Sequence, residues 1–340
     1  MCTLIVLHRC VPGRPLVVAA NRDEFLDRPA EEPALRSSRT GPIVAPLDLE
    51  AGGTWVGVSA RGVFAGLTNL RPAPEASEAT EEEIGSEARP GALSAVESIE
   101  RASALREQKV ESELRSRGEV VMMALEAESA AAAVRTLSNL EKGTYNPFQL
   151  LVADGHEAWL VVYRGAGRAV RLEPGAHIVG NVVDGRIEAE IDGAALGSLM
   201  SERSELSGRR EGSMAWPVDE EPRARKLTRI RASVEKLMTE SSRDHFEGLA
   251  GICREHVEDD REGDREDGRE NRSPFESTCV HVANRYGTRS SLLLELSLDP
   301  EAHRLWTTDG PPCERSFENR SFLLRELGVR LGHRAGTEQT

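Results

Sequence analysis

A cysteine stands directly after the initiator methionine, and its position lets one residue carry two reactive groups. Removal of Met1, which a small second residue permits, would free the α-amine of Cys2 beside its own thiol. Their reference pKa values, about 7.7–8.0 for the amine and about 8.5 for the thiol, are close enough for one to deprotonate the other. Such a residue supplies nucleophile and base together and needs no catalytic histidine. An acyl-transfer site also needs acceptors for the ammonium, an anchor for the substrate and donors for the tetrahedral oxyanion. The candidates are Asn21, Arg22 and Asp23, together with Asn69. An asparagine amide offers two N–H donors, and an arginine can lower a thiol pKa or clamp a carboxylate. A cysteine at position 2 is otherwise an ordinary strand residue, and 21–24 an ordinary polar turn.

The elements that must position these residues are strands. Residues 2–8 and 16–20 read as a hairpin around Pro12-Gly13, which brings the polar tetrad 21–24 back to Cys2. Residues 27–50, with four prolines, read as irregular. The stretch 52–59 reads as turn and strand, and 63–69 as the returning strand ending at Asn69. Residues 72–92 read as a loop, and 93–114, 119–125 and 127–140 as helical. Runs at 148–153, 158–163, 169–172 and 177–179 read as an antiparallel meander, and 224–249 as a helix. The segments 278–282 and 291–298 read as a hairpin flanking 285–290, followed by a strand at 306–308 and a helix at 316–327. Pocket walls are expected from 27–50 and 182–222, with Trp216-Pro217 as a lid or a buried turn. Helices between two antiparallel strand sets predict an α+β fold of layered sheets, not a doubly wound parallel sheet.

Composition narrows the function classes. With 39% apolar residues a sizeable core is available, and 4% aromatics means that aliphatic side chains must build it. The 57 acids against 43 bases give a net charge of -14, which repels phosphate backbones; no nucleic-acid partner is expected. Five scattered cysteines make no disulfide framework and suggest a reducing compartment. No Cys-x-x-Cys pair occurs, so the simplest zinc arrangement is absent and no metal is expected. Between residues 254 and 272 lie nine acids and five arginines, a solvated excursion without the fixed ligand spacing of a calcium loop. The apolar start at 2–7 is too short for a signal core, and no run of 18 apolar residues occurs; a cytoplasmic protein without a membrane span is expected.

Taken in order, Cys2, Asn21-Arg22-Asp23-Glu24 with Arg28-Pro29, Gly53-Thr54-Trp55 and Thr68-Asn69 resemble the NRDE protein family, that of transport and Golgi organization protein 2 (TANGO2-like). Further matches are Ser116-Arg117-Gly118-Glu119, Tyr145-Asn146 with Phe148 and Leu150, Gly180-Asn181, and 286–290. The resemblance implies an N-terminal-nucleophile hydrolase fold, a four-layer αββα sandwich of two packed antiparallel sheets. It implies a single domain over 1–330, insertions at 75–112 and 254–272, the second disordered, and a tail at 331–340. By analogy with penicillin V acylases and bile salt hydrolases, Cys2 corresponds to the nucleophile, Arg22 and Asp23 to the charged pair near the second strand's end, Asn69 and Asn181 to the oxyanion or substrate asparagines, and Arg289 to a late arginine. Arg22 and Asp23 are adjacent here where the acylases separate them, so Asp23 and Glu24 compete for the acid's role. Family members often read Asn-Gly-Phe-Asn-Leu where this chain has Asn146-Pro147-Phe148-Gln149-Leu150, and Leu-Ser-Asn where it has Val179-Gly180-Asn181.

Two expectations follow. The first is an N-terminal-cysteine amidohydrolase acting on a linear non-peptide C–N amide, with no cofactor. The second is a non-enzymatic carrier of haem or another amphipathic ligand on the same scaffold. Haem as cargo would use His8, Cys10, Cys279 or His281, each of which more commonly serves a strand surface or core.

Overall fold

The computed structural model describes residues 2–70, 96, 99, 114–191, 221–240, 244–257 and 273–331. The chain opens with a long hairpin, β1 (Cys2–Val11) and β2 (Arg14–Phe25), turned by Gly13 at a φ of 71°. A seven-stranded meander follows in sequence order: β3 (Ala30–Ser38), β4 (Gly41–Asp48), β5 (Val56–Ser59), β6 (Phe64–Asn69), β7 (Phe148–Ala153), β8 (Ala158–Tyr163) and β9 (Gly167–Leu172). The chain then crosses back. Strands β10 (Gly175–Val179), β12 (Tyr286–Leu296), β13 (Arg304–Asp309) and β14 (Glu318–Asn319) build the first hairpin into a sheet ordered β10-β1-β2-β12-β13-β14, and β11 (His281–Val282) adds to β12. Every strand pairing is antiparallel.

Alternation along β1 explains its unbroken apolar run. Leu4 and Val6 face the second sheet, where Val58, Phe64, Leu151 and Leu160 meet them, while Ile5 and Leu7 face helices. The sheets approach closely: a Cβ on Gly66 would meet a Leu4 methyl at 3.0 Å. Over the outer face of the meander lie α1 (Gly118–Leu125) and α2 (Ala130–Leu137), with Val120, Leu125 and Leu137 packed on Leu67, Phe148 and Tyr163. On the outer face of the other sheet lie α3 (Glu221–Thr239) and α4 (His245–Cys253), where Ile230, Val234 and Phe246 meet Ile5 and Leu293. Each such aliphatic side chain, fully buried, contributes roughly 1.5–3 kcal/mol. A short α5 (Phe322–Leu327) adds Leu323, Leu324 and Leu327 to the layer between the sheets. The result is the αββα sandwich expected from the sequence.

Several local expectations need correction. Residues 27–50 are not irregular: 30–38 and 41–48 form a hairpin. Its prolines are tolerated because β3 is an edge strand with a register shift between Glu31 and Ala34, and because β5 pairs only with Ile43 and Val44 of β4. The tetrad 21–24 lies inside β2, not after it. Strand β10 pairs with β1 and so leaves the meander. The helix expected over 224–249 is two, α3 and α4. The late hairpin turns at Ala283-Asn284, both at positive φ, so 286–290 is strand. The terminal helix is shorter than 316–327, because 318–319 pair with β13. The expectations at 72–92, 93–113, Trp216-Pro217, the 75–112 insertion, most of 254–272 and the tail beyond 331 lie outside the described residues, save 96 and 99, which are helical; residue 114 is described and is not helical. Among the described residues, no helix is long and apolar enough to cross a membrane.

His8, near the far end of β1, is buried, and burial pulls its pKa down to about 4 against an opposing pull from the main chain of Asp154. Because the folded value lies below the ordinary 6.5, the unfolded chain binds the proton more tightly. This contribution to stability is complete above about pH 6.5 and is lost as the pH falls toward 4. Urea titrations across that window should give a steeper loss of stability for the wild type than for His8→Gln, by up to one proton's worth of slope.

Candidate active site

The register of three adjacent strands decides what each residue of the tetrad can do. Cys2 pairs with Arg22, and Thr3 with Asn21. On the other side of β2, Asp23 pairs with Thr288 and Arg22 with Ser290, leaving Arg289 in a bulge. Since Val18 and Ala20 face the second sheet and Val17 and Ala19 face the helices, Cys2 and Arg22 point between the sheets, while Asn21 and Asp23 point toward α3 and α4.

Asn21 is a structural staple. Its amide nitrogen donates to the carbonyls of Cys253, at 3.0 Å, and Thr278, at 2.9 Å, and its oxygen accepts from the Ser291 hydroxyl at 2.8 Å. Both of its N–H donors are consumed, which removes it from the oxyanion candidates. Asp23 is 1% exposed. Its carboxylate accepts from the Thr288 hydroxyl at 2.7 Å and from the buried Lys226 ammonium, on α3, at 3.2 Å. The Tyr286 hydroxyl donates to the Asp23 carbonyl at 2.9 Å, and burial, reinforced by the Asp23 charge, pushes the phenol well above its ordinary value, so it stays a neutral donor. The antiparallel run of β1 carries the backbone nitrogen of Cys2 toward the level of Asp23. Glu24, the competing acid, instead accepts from the Phe25 N–H and faces Arg28.

Arg22 donates to Asp48 at 3.2 Å, lies 4.2 Å over the Trp55 ring and leaves its Nη1 without a partner. Asp48 also accepts from Arg28 at 2.9 Å. Although burial works against the charge, the Ala51 N–H, Arg28 and Arg22 hold Asp48 below its ordinary pKa. Arg289 pairs with Asp309, and it lines with Arg22 a cavity of about 30 Å³ between the sheets, room for a water or two. The structure thus brings the two arginines together.

Cys2 is 8% exposed as a residue. Burial pushes its pKa up; the positive amino terminus and Arg22 pull it down, while Asp23 and Glu24 push the same way as burial. Such a thiol stays protonated at neutral pH and needs a base to act as a nucleophile.

Two carbonyls stitch the sheets together at this end. That of Gly180 accepts from Thr68 at 2.6 Å and from Gln149 at 2.8 Å; that of Asn69 accepts from the Asn181 amide at 2.7 Å. Asn69 and Asn181 are therefore neighbours, joined by one main-chain contact. Alternation turns the Asn69 side chain toward the helix-covered face that holds Ala65 and Leu67. Sequence reasoning assigns no role to Arg117, whose motif enters only as part of the family resemblance. It caps that strand end: its Nη1 donates to the Pro147 carbonyl at 3.2 Å, and it lies near enough to Cys2 and Glu24 for their charges to act on it, though burial lowers its pKa. Asp48 and Trp55, which hold Arg22, were missed as well; only the Gly53-Thr54-Trp55 match hinted at the second.

A separate and larger cavity, about 620 Å³, opens on the outer face of the meander beside α1. Ile43, Leu47, Met122 and Met123 line it, with Arg36 and Arg115 among its charged groups.

A sequence model of the family described as Transport and Golgi organisation 2 matches residues 1–303. A Transport and Golgi organization protein 2 homolog from Bos taurus is 28% identical over 177 residues, 49% of this chain and 51% of that protein. The Homo sapiens homolog is 46% identical over 61 residues, 17% and 22% of the two chains. These alignments take in about half, or less, of the length of the relatives. Among solved structures, a mutant conjugated bile acid hydrolase from Clostridium perfringens superposes with a TM-score of 0.45 at 10% identity, over 95% of this chain and 93% of that one. A Caenorhabditis elegans N-acylethanolamine-hydrolyzing acid amidase ortholog gives a TM-score of 0.32 at 15% identity, over 62% and 81%. At such scores the overlays are loose, and the architecture stands on the strand pairing itself.

Two substitutions separate the roles of adjacent residues. Asn21→Ala should lower the stability measured by urea unfolding by about 1–3 kcal/mol for each carbonyl left unsatisfied. Asp23→Asn should cost about 3–5 kcal/mol because the Lys226 ammonium is left buried without its counter-charge, and a large part should return in the double variant Asp23→Asn/Lys226→Met.

Proposed function

As the chain belongs to the Transport and Golgi organisation 2 family, we propose that it is an N-terminal-cysteine amidohydrolase acting on a linear, non-peptide C–N amide. The observation that carries this reading is the pairing of Cys2 with Arg22 at a strand end, with the Cys2 backbone nitrogen running toward Asp23, whose carboxylate is fixed by Thr288 and Lys226 and whose carbonyl is fixed by Tyr286. Once Met1 is removed, the free α-amine takes the thiol proton, and the thiolate attacks the amide carbonyl. The developing oxyanion is met by the remaining N–H of the Asn181 amide, and Asn69 acts only through its carbonyl, which holds that amide in place. Collapse expels the amine, which takes the proton back from the α-ammonium, and leaves a thioester on Cys2 that water then hydrolyses. Asp23 holds the ammonium. The unpaired Nη1 of Arg22 is available to a polar substrate group, with Arg289 beside it.

A second reading is favoured by the larger cavity. Its volume of about 620 Å³ falls within the roughly 300–1,000 Å³ of small-molecule sites. Its floor is apolar and its margin carries Arg36, Arg39 and Arg115 beside Glu119 and Glu126, a mixed rim that suits an amphipathic ligand. Haem is one such cargo: Met122 or Met123 would be an axial candidate, and Arg36 and Arg115 would meet the propionates. His8, about six residues and so roughly 20 Å along β1 from Cys2, is not among the residues lining it.

Intact mass and peptide mapping of protein isolated from cells provide the test. The hydrolase requires a chain without Met1 whose Cys2 is labelled by an electrophilic amide probe, with labelling abolished in Cys2→Ala. A retained Met1 ties the α-amine into a peptide bond and ends that mechanism. A saturable Soret shift on haem titration that survives Cys2→Ala and falls in Met122→Leu/Met123→Leu would instead support the carrier.

A further inference from the structure

Away from Cys2, four side chains from three stretches of chain converge beside the outer face of the first sheet. His256 lies three residues past the end of α4, Cys279 precedes β11 and His281 begins it, and Cys313 sits in the connection between β13 and β14. All four donor atoms lie within 4.8 Å of one another. The two Sγ atoms are 3.5 Å apart, and His281 Nε2 is 3.6 Å from Cys279 Sγ and 3.2 Å from Cys313 Sγ. In a regular tetrahedron with metal–sulfur bonds of about 2.3 Å and metal–nitrogen bonds of about 2.0–2.1 Å, the S···S edge is about 3.8 Å and the S···N edge about 3.6 Å. The three edges seen here agree to within about 0.4 Å. His256 completes the set from a ring 5.1 Å, centroid to centroid, from that of His281. It is exposed, so rotation about its side-chain torsions can close the remaining edges.

We propose that His256, Cys279, His281 and Cys313 form a zinc site. Two thiolates and two imidazoles are the donor set of a closed, four-coordinate structural centre, and the absence of a direct carboxylate ligand disfavours calcium and magnesium. The cradle is built before any ion arrives. The Cys279 N–H donates to the Glu255 carbonyl at 3.0 Å, and Arg254 Nε donates to the Pro312 carbonyl at 3.1 Å. Each ligand-bearing stretch is thereby tied to its neighbour within two residues of a ligand. The Asn21 amide pins the same region from below, through Cys253 and Thr278. While His281 Nε2 faces the sulfurs, its Nδ1 faces the Glu314 carboxylate at 3.9 Å, the side on which zinc-bound histidines carry an orienting carboxylate. The ion would join the end of α4, the β11–β12 hairpin and the connection after β13. Strand β12 carries Tyr286 and Thr288, so the clamp would hold the strand whose hydroxyls fix Asp23. This inference stands on its own residues and does not depend on hydrolysis.

No motif announces the set, because its ligands are not paired by a short spacing: only Cys279 and His281 are close in the chain. The test uses the full-length protein, reduced and stripped with chelator, then titrated with zinc against a chromogenic chelator and, separately, with cobalt. One zinc per chain, the intense visible bands of tetrahedral cobalt–thiolate coordination, and a rise in the unfolding midpoint on zinc addition are expected. His281→Gln, a change at an exposed side chain that leaves the core intact, should weaken zinc binding at least tenfold. Cys279→Ser/Cys313→Ser should abolish the cobalt spectrum, and Cys10→Ser should leave it unchanged. Sub-stoichiometric zinc, an octahedral cobalt spectrum, or binding equal in His281→Gln and wild type would overturn the proposal.

Discussion

The two-residue period of β2, held between β1 on one side and β12 on the other, is the constraint on which the site depends. It sends four consecutive polar residues into different surroundings. Asn21 saturates its amide against main-chain carbonyls, and Asp23 is locked by a lysine and two hydroxyls. Arg22, between them in sequence, faces the opposite side of the sheet with Cys2. A slip of one residue in either pairing would exchange these environments, placing a guanidinium against the aliphatic helix layer and a carboxylate between the sheets. The apolar residues that precede the tetrad, Val17 and Ala19 on one face and Val18 and Ala20 on the other, fix the phase and so keep that exchange from happening.

Where the two sheets meet near Cys2, contact changes from aliphatic to polar. Leu4 packs on Gly66 with no room for a further methyl group, and two residues on, Thr68 and Gln149 bond to the Gly180 carbonyl. A hydroxyl and an amide buried in an aliphatic layer are tolerated only with their partners in place. They set the separation of the sheets at this edge, and with it the position of Asn181 relative to Cys2. Gln149, longer by one methylene than the asparagine often found there in the family, uses its length to reach the Val182 carbonyl at 3.2 Å as well.

Much of this was legible in the sequence. The unbroken apolar run at 4–7, the Pro12-Gly13 turn and the polar tetrad locate the first hairpin, because a strand buried on both faces leaves a distinctive run. The meander strands β5 to β8 are bounded by Gly and Asp turns and are legible for the same reason. The β3–β4 hairpin was hidden by its prolines, which an edge strand accommodates and a propensity argument does not. Chemistry was harder. Asn21 looked like a donor for an oxyanion, yet its partners come from 232 and 257 residues away, and no local pattern encodes them. Asp48 and Arg117 have roles that only three-dimensional proximity assigns, and the His256–Cys313 cluster is likewise a product of topology.

The two sheets also differ in how their strands are supplied. The meander is assembled almost wholly from neighbours in sequence, so each strand can dock as soon as it is made. The other sheet begins with the first hairpin and waits for β12, whose Thr288 lies 265 residues from Asp23. At translation rates of about 5–20 residues per second, that wait lasts on the order of 13–50 seconds. Throughout it, the nascent chain leaves the hydrogen-bonding edge of β2, with its valines, without the strand that later covers it. The edge of β2 that carries Asp23 is thus covered long after it is made, which makes late synthesis, not early folding, the step at which this sheet is completed.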